Sequence, residues 1–533
     1  MSIRNDCELV IKASQASLPN VYFVGPYGAR VSFASQQRRV LNLIWALREG
    51  GDKLWPNMRQ PRAAVIGAGI AGVTCAAALR MQKCSVWLYE STGSELGLQR
   101  QAKHRFVHPS INFWPEQPLS WTTRFPFMDW YAASCEDIIK MISRQWQKPF
   151  RGKIAQLKTN YEFKGFEAVP PGGPNGGRVK LSFVGRDDEF ADIVFITTGY
   201  GREKDLDDPK FKSYWESDHV DRLTEDKDKH YAVSGTGDGG VIDVLRLTYP
   251  SFMSDELALR FLLKIDPDAG DRSKKSLPRE IVSEIEQKAE ALLEPNARSR
   301  HYHEKYTEFA LNQDDEAKQL LPPLPPQKNP IMLIGRYEHP YDISSAPIHK
   351  ILLALSIALK RIEYHQGEVT RDAGGVYWRT KEGEAPVRIE ADYVVVRHGA
   401  IPPIADILDP DALGALQGTQ RELGDYFDLK GYDEKKYFDD PTIAPGRHSD
   451  PEEFYKVRTP MAQEFLRSRF DVGMRSPLST SLAGFEVMDE RAPDVAEDHP
   501  FGRLPNELFG IPLKISGDRV PPIDPLVGRS DHG

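Results

Sequence analysis

The 533-residue chain carries 69 basic and 77 acidic side chains, a net charge of −8, with 40% apolar and 27% charged residues. That balance suits a globular protein of roughly two to four structural units and argues against a general nucleic-acid or anionic-membrane binder. No stretch reaches the ~18 apolar residues a spanning helix needs, Met1–Val10 lacks a secretory signal pattern, and Cys7, Cys75, Cys84 and Cys135 form no close pair, which predicts a cytoplasmic setting without dithiol chemistry.

Residues 1–61 form an N-terminal extension. Tyr22–Val24 reads as a strand and Gln36–Glu49 as a helix, expected to pack on the next domain or to cover its ligand. A short apolar run, Ala63–Ile66, then leads into Gly67, Ala68, Gly69, Ile70, Ala71 and Gly72, a G-x-G-x-x-G turn. Val73, Ala76 and Leu79 share one helical face, and a second strand, Ser85–Tyr89, ends on Glu90. Each glycine has its own reason. Gly67 makes the tight turn, Gly69 lets a pyrophosphate approach the backbone, and Gly72 lets helix and strand pack closely. The helix N-terminus offers N–H groups and a positive dipole end to phosphate. Glu90, with Ser91 beside it, stands where a carboxylate accepts hydrogen bonds from ribose hydroxyls. The alternative is a glycine-rich turn that has lost its ligand.

This unit resembles the FAD-binding start of the two-dinucleotide-domain flavoproteins, the glutathione-reductase-like and flavin-monooxygenase-like superfamily. Those proteins follow the acid with a short spacer and a Gly-Gly pair. Here Ser91–Leu98 keeps one glycine of the pair, Gly97, after a spacer one residue longer. The resemblance implies an α/β fold with two FAD/NAD(P)-binding Rossmann-like domains in tandem: an FAD domain at 62–204 and a second dinucleotide-binding-like domain at 205–400. A helical insertion at about 251–326 interrupts the second, and an irregular region, 401–533, wraps over both.

The segment Arg100–Pro115, RQAKHRFVHPSINFWP, falls in this fold near the flavin ring. Arg100 suits a phosphate or carboxylate, His108 suits proton transfer near neutrality, and Trp114 suits stacking on a ring. The plainer reading is a loop whose His and Trp brace the domain. Trp121–Trp130 and a helix at Ala132–Trp146 continue the segment.

A second turn lies in Tyr231–Leu247, with Gly235, Gly237 and Gly240 in the same spacing. No acid ends a strand about 20 residues later, and Asp238 inside the turn opposes a pyrophosphate. Asp255–Leu321 reads as helical, and Pro322–Pro326 as a stiff connector. Ile331–Gly335 restarts the sheet and Ile348–Ile362 reads as a helix. Leu333–Ile343, LIGRYEHPYDI, matches a monooxygenase F-x-G-x-x-x-H pattern only at Gly335 and His339 and is set aside. His301 and His303 lack the companions a metal site needs, so no metal is expected. Lys514–Asp518, KISGD, is a candidate for the family's terminal strand.

The chain also echoes itself. Ala191–Gly199 reads ADIVFITTG and Ala391–Gly399 reads ADYVVVRHG. Each follows a hairpin pattern and ends on a glycine that lets the chain turn away at the ligand crevice. Thr198 and Gly199 in the first copy, and His398 in the second, become candidate site residues. The combined reading is an FAD-dependent oxidoreductase acting on a small molecule, with NAD(P)H as reductant. Two alternatives stay open: an amine or amino-acid oxidase-like flavoprotein reduced by its own substrate, and a non-catalytic nucleotide-binding or interaction protein. Oligomeric state is not legible.

Overall fold

A computed structural model describes residues 3–25, 30–50, 60–147, 155–170, 178–203, 212–216, 229–249, 255–321, 329–423, 438, 507–508 and 511–512. Contacts divide the chain into a large unit, Met1–Ala462, and a C-terminal one, Gln463–Gly533. The large unit opens with α1 (Ile3–Lys12), β1 (Val21–Phe23) and α2 (Phe33–Glu49). The first glycine turn joins β2 (Arg62–Ile66) to α3 (Ile70–Met81), which leads to β3 (Ser85–Glu90) and α4 (Gly97–Arg100). A small ladder of β4 (Phe106–Val107) and β5 (Ala133–Ser134) precedes α5 (Cys135–Gln147) and β6 (Ala155–Thr159). An antiparallel meander follows: β7 (Phe163–Ala168), β8 (Val179–Phe183) and β9 (Glu189–Ala191). The closing strand is β10 (Ile193–Ile196).

After β11 (Arg202–Glu203), the second turn joins β12 (Tyr231–Ser234) to α6 (Asp238–Thr248). Helices α7 (Glu256–Ile265), α8 (Leu277–Glu290), α9 (Pro295–Leu311) and α10 (Asp315–Gln319) intervene before β13 (Ile331–Gly335). Then come α11 (Pro347–Ala358), β14 (Ile362–Gln366), a second meander of β15 (Glu368–Arg371), β16 (Tyr377–Thr380) and β17 (Val387–Arg388), and the closing strand β18 (Tyr393–Val396). The chain returns through β19 (Ala400–Ile401), antiparallel to β11, to α12 (Pro410–Leu423). In the C-terminal unit, Glu507–Leu508 (β20) pairs with Ile511–Pro512 (β21).

The protein is therefore α/β, with two parallel sheets built to one plan. The first has the order β1-β10-β2-β3-β6 and the second β18-β12-β13-β14. In each, the closing strand, one copy of the internal echo, lies beside the strand that feeds the glycine turn. The apolar strands are buried on both faces, as a covered parallel sheet requires. On one face of the first sheet, α3 is nearly all small apolar residues and buried along its length. Val179, Leu181 and Phe183 of the meander pack with β1, β2 and β10 in one apolar cluster.

The N-terminal extension supplies β1 as the sheet's outer strand. Lys514–Asp518 and Pro322–Pro326 lie outside the described residues. Ile404, Leu408 and Leu416 join the first sheet's core, so residues up to Leu423 complete the first unit. The helical insertion is fastened to the rest through buried groups. Trp114 Nε1 donates to Asp266 Oδ2 at 3.0 Å, and Leu119 N–H donates to Ala269 O at 2.9 Å. Arg30 bridges Glu116, at 3.0 Å, and the buried Glu286, at 2.8 Å.

Candidate functional site

The two glycine turns repeat each other in steric detail. Gly67 has φ +96° and Gly235 φ +120°, the left-handed region a side chain resists. A Cβ on Gly67 would lie 2.9 Å from Thr197 O, and one on Gly235 would lie 2.0 Å from Arg397 O. A Cβ on Gly72 would sit 1.8 Å from Gly67 O, and one on Gly240 would sit 1.9 Å from Gly235 O. The middle glycines behave differently. Within 4 Å, Gly69 would meet only Gln99 Nε2, at 3.8 Å, and Gly237 only Ser344 Oγ, at 3.6 Å. The outer glycines thus serve the protein's own packing, and the middle ones face open space at a helix N-terminus.

Around the first turn, Ile70 and Ala71 are buried in the opening of α3. Glu90 turns its carboxylate onto the loop. Oε2 accepts from Ala68 N–H at 2.8 Å, and Oε1 accepts from Thr92 N–H at 2.9 Å and Ser91 Oγ at 3.2 Å. The structure thus brings Ala68, Glu90 and Ser91 together. Arg100 is exposed at the end of α4. Thr198 is half-buried, and Gly199 has φ +70°, matched by +82° at Gly399, so both closing strands do end in a glycine-dependent turn.

A cavity of about 640 Å³ opens on the second turn. Its walls include Gly235–Gly239, the strand end Gly335–Tyr337, Arg105 and His108 from the aromatic segment, Glu203, and Arg397–Gly399. His398 is half-buried, with Nε2 2.6 Å from Ser234 Oγ. His108 is buried, its ring edge-on to Trp121, and Nδ1 accepts Ser110 N–H at 3.2 Å. Burial lowers its pKa to about 3. The ring is neutral at physiological pH, so the proton-transfer role expected of it near neutrality finds no support in these surroundings. Trp114 is likewise fully buried and tied to Asp266, a bracing side chain rather than a stacking surface.

Two charged groups stand behind this turn, built on Asp243, His349 and Asp255, which sequence reasoning missed. Asp243, fully buried on α6, accepts from Arg105 at 2.7 and 3.2 Å, from Arg397 Nε at 2.7 Å and from Arg246 at 2.9 Å. Burial alone would raise its pKa. The three guanidiniums win and hold the carboxyl far below its usual range. Arg105 also stacks on Tyr214, 3.6 Å from the ring centre.

The second group begins with Asp238, the acid in the turn. Its Oδ1 accepts Ala346 N–H at 2.9 Å at the start of α11 and pairs with His349 Nδ1 at 2.7 Å. His349 Nε2 lies 3.2 Å from Asp255. Burial works against the imidazolium, but the two carboxylates push its pKa up to about 10. The negative charge of Asp238 is thus spent on an imidazolium and on a second helix N-terminus.

All four cysteines are buried and unpaired, and burial raises each thiol's pKa, that of Cys84 to about 12. His301 and His303 diverge. His301 Nε2 contacts Ile285 O at 3.1 Å, while His303 stacks on His339 at 4.2 Å. No helix among the described residues is long and apolar enough to cross a membrane.

The fold and its two turns define a tandem Rossmann-like protein. The family described as NAD(P)-binding Rossmann-like domain matches residues 65–122, the first turn and the segment after it. No curated protein matches the sequence. Among solved structures, the chain is similar to the bacillithiol disulfide reductase of Staphylococcus aureus, at 12% identity over 66% of this chain and 79% of that one (TM-score 0.38). It is similar to the thioredoxin reductase of T. acidophilum at 14% identity, over 66% and 80% (TM-score 0.33). It is also similar to OTEMO in complex with FAD and NADP at 13% identity, over 66% and 74% (TM-score 0.34).

Proposed function

We propose that this protein is an FAD-dependent oxidoreductase in which the first turn holds FAD and the second holds NAD(P)H. One observation carries the reading: both turns keep their middle glycine open to a helix N-terminus while the outer glycines are sterically locked. A pyrophosphate needs that opening and the N–H groups behind it. Gly67–Gly72 would hold the FAD pyrophosphate and Glu90 its ribose. Gly235, Gly237 and Gly240 would hold the second nucleotide, with Asp238 neutralised by His349. The flavin, when bound, supplies the redox chemistry. The chain's residues do the rest. The buried aromatic segment excludes water, and Arg105 and Arg397 give the cavity wall a positive charge beside Asp243. His398, hydrogen-bonded to Ser234, stands at the cavity edge. The buried, unpaired cysteines favour a small organic substrate over a disulfide.

The test is a visible spectrum of the purified protein, followed by anaerobic titration with NADH and NADPH. Flavin absorbance that bleaches with a nicotinamide supports the reading. A flavin reduced only by an amine or amino acid would transfer the assignment to the oxidase-like alternative. Bound flavin that no reductant bleaches would point to a non-catalytic nucleotide binder.

A further inference from the structure

The residue that reads the ribose at the second turn can be found by register. In the first sheet Ile66 pairs with Tyr89, so the next residue along β3, Glu90, stands beside Gly67. In the second sheet Ser234 pairs with Ile334, so Gly335 stands beside Gly235. Gly335 is therefore the counterpart of Glu90, and Arg336 that of Ser91. No acid can replace this glycine without rearrangement. A Cβ on Gly335 would lie 2.4 Å from Thr236 Cγ2 and 3.2 Å from the Tyr364 hydroxyl. The backbone here is also clamped. Tyr364 Oη shares its single proton between Gly335 O, at 3.0 Å, and Tyr337 O, and Gln366 Nε2 donates to Arg336 O at 3.0 Å. Arg336 lines the same cavity as Gly237 and pairs with Glu368 at 2.8 Å, both side chains being largely exposed.

Building on the assignment of a nucleotide to the second turn, we infer that this site selects a 2′-phosphorylated adenosine dinucleotide, NADPH rather than NADH, through Arg336. A carboxylate at the strand end would accept both ribose hydroxyls and repel a 2′-phosphate. Glycine followed by arginine does the reverse. The exposed Arg336–Glu368 pair is weak, and a phosphate with several acceptor oxygens competes well for the guanidinium. Glu90 makes the opposite choice at the first turn, which suits the unphosphorylated ribose of FAD.

The experiment is calorimetric titration of the purified full-length protein with 2′,5′-ADP and with 5′-AMP, which differ only in the 2′-phosphate. The wild type should bind 2′,5′-ADP at least about tenfold more tightly, a difference of about 1.4 kcal/mol. Arg336→Ala should bring the ratio close to one with unchanged thermal stability, and Glu368→Gln should raise the ratio. Gly237→Val should abolish binding of both probes. A wild-type ratio near one, or a ratio that Arg336→Ala leaves intact, overturns the selectivity. If Gly237→Val still abolishes binding in that case, the nucleotide assignment of the turn survives. Failure of both probes to bind the wild type overturns the assignment together with the inference.

Discussion

Behind the first turn, α3 carries the buried Cys75 and the closing strand leads into the buried Thr197. Behind the second, the matching positions hold Asp243 and Arg397. The glycines are interchangeable in geometry, yet one unit is sealed with a thiol and a hydroxyl and the other with a buried ion cluster. A dry seal needs nothing beyond its own unit. Cys75 is fully buried, and Thr197 Oγ1 reaches only the carbonyls of Ile66 and Gly67. The charged seal draws in Arg105 from the first unit, so the cavity on the second turn is walled by both units. Keeping the turn while exchanging the seal is how one plan yields one turn closed by its own residues and one whose cavity Arg105 helps to wall.

Breaking the charged seal should have the largest effect. Asp243→Ala leaves Arg105, Arg246 and Arg397 around a buried gap, and removing one partner of a buried ion cluster costs about 3–5 kcal/mol. A drop in thermal midpoint well beyond that of Cys75→Ala is expected in a melting scan. Equal, small losses at the two sites would show that the seals are energetically alike.

The glycines come next. Gly72→Ala and Gly240→Ala place a methyl group within 2 Å of a backbone carbonyl oxygen, and each should destabilise the fold by about 1–3 kcal/mol or more. Gly69→Val and Gly237→Val should melt close to flavin-free and nucleotide-free wild type respectively and remove one ligand each: FAD occupancy for Gly69, and nicotinamide-driven bleaching for Gly237. Gly69→Val protein that purifies with full flavin content would separate the cofactor from the first turn.

These contrasts also mark what the sequence made legible. The turns were readable because each glycine's constraint comes from a motif of a few residues and a strand that echoes itself. The place of Gly335 and Arg336 beside the second turn was hidden because α7–α10 push the strand far beyond the usual spacing, and the surrounding LIGRYEHPYDI resembled an unrelated motif. Asp243 reads as an ordinary helix residue, since its partners Arg105 and Arg397 are 138 and 154 positions away. Fold position put the segment containing His108 beside a flavin, and the packed structure has Arg105 and His108 line the cavity on the second turn. The protonation of His108 was not legible, because that depends on burial that only the packed structure supplies.

The Asp238–His349–Asp255 group gives the second turn a pH dependence that the first lacks. The folded pKa of His349, about 10, lies above the ordinary value of 6.5. The stabilisation is therefore complete below about pH 6.5 and is lost as pH rises through about 10. His349→Phe should be destabilised by about 3 kcal/mol at pH 6, with the gap to wild type narrowing steadily toward pH 10. A gap that is constant with pH would mean that the imidazole is held neutral and serves only as packing.

The smallest effect belongs to the dry seal. Thr197 Oγ1 lies 2.9 Å from both Ile66 O and Gly67 O, but a hydroxyl has one proton, so a single full hydrogen bond is at stake. Thr197→Val keeps the shape and removes that donor from two carbonyls of which Ile66 O already accepts Thr197 N–H at 2.8 Å. The expected loss is about 1 kcal/mol, read as a small drop in denaturant midpoint with an unchanged slope. Flavin content should stay at wild-type level, because the hydroxyl acts on the strand behind the turn and not on the open face at Gly69. A loss of flavin with unchanged stability would reverse that assignment and make Thr197 a ligand-facing residue, leaving the two seals more alike in purpose than their chemistry suggests.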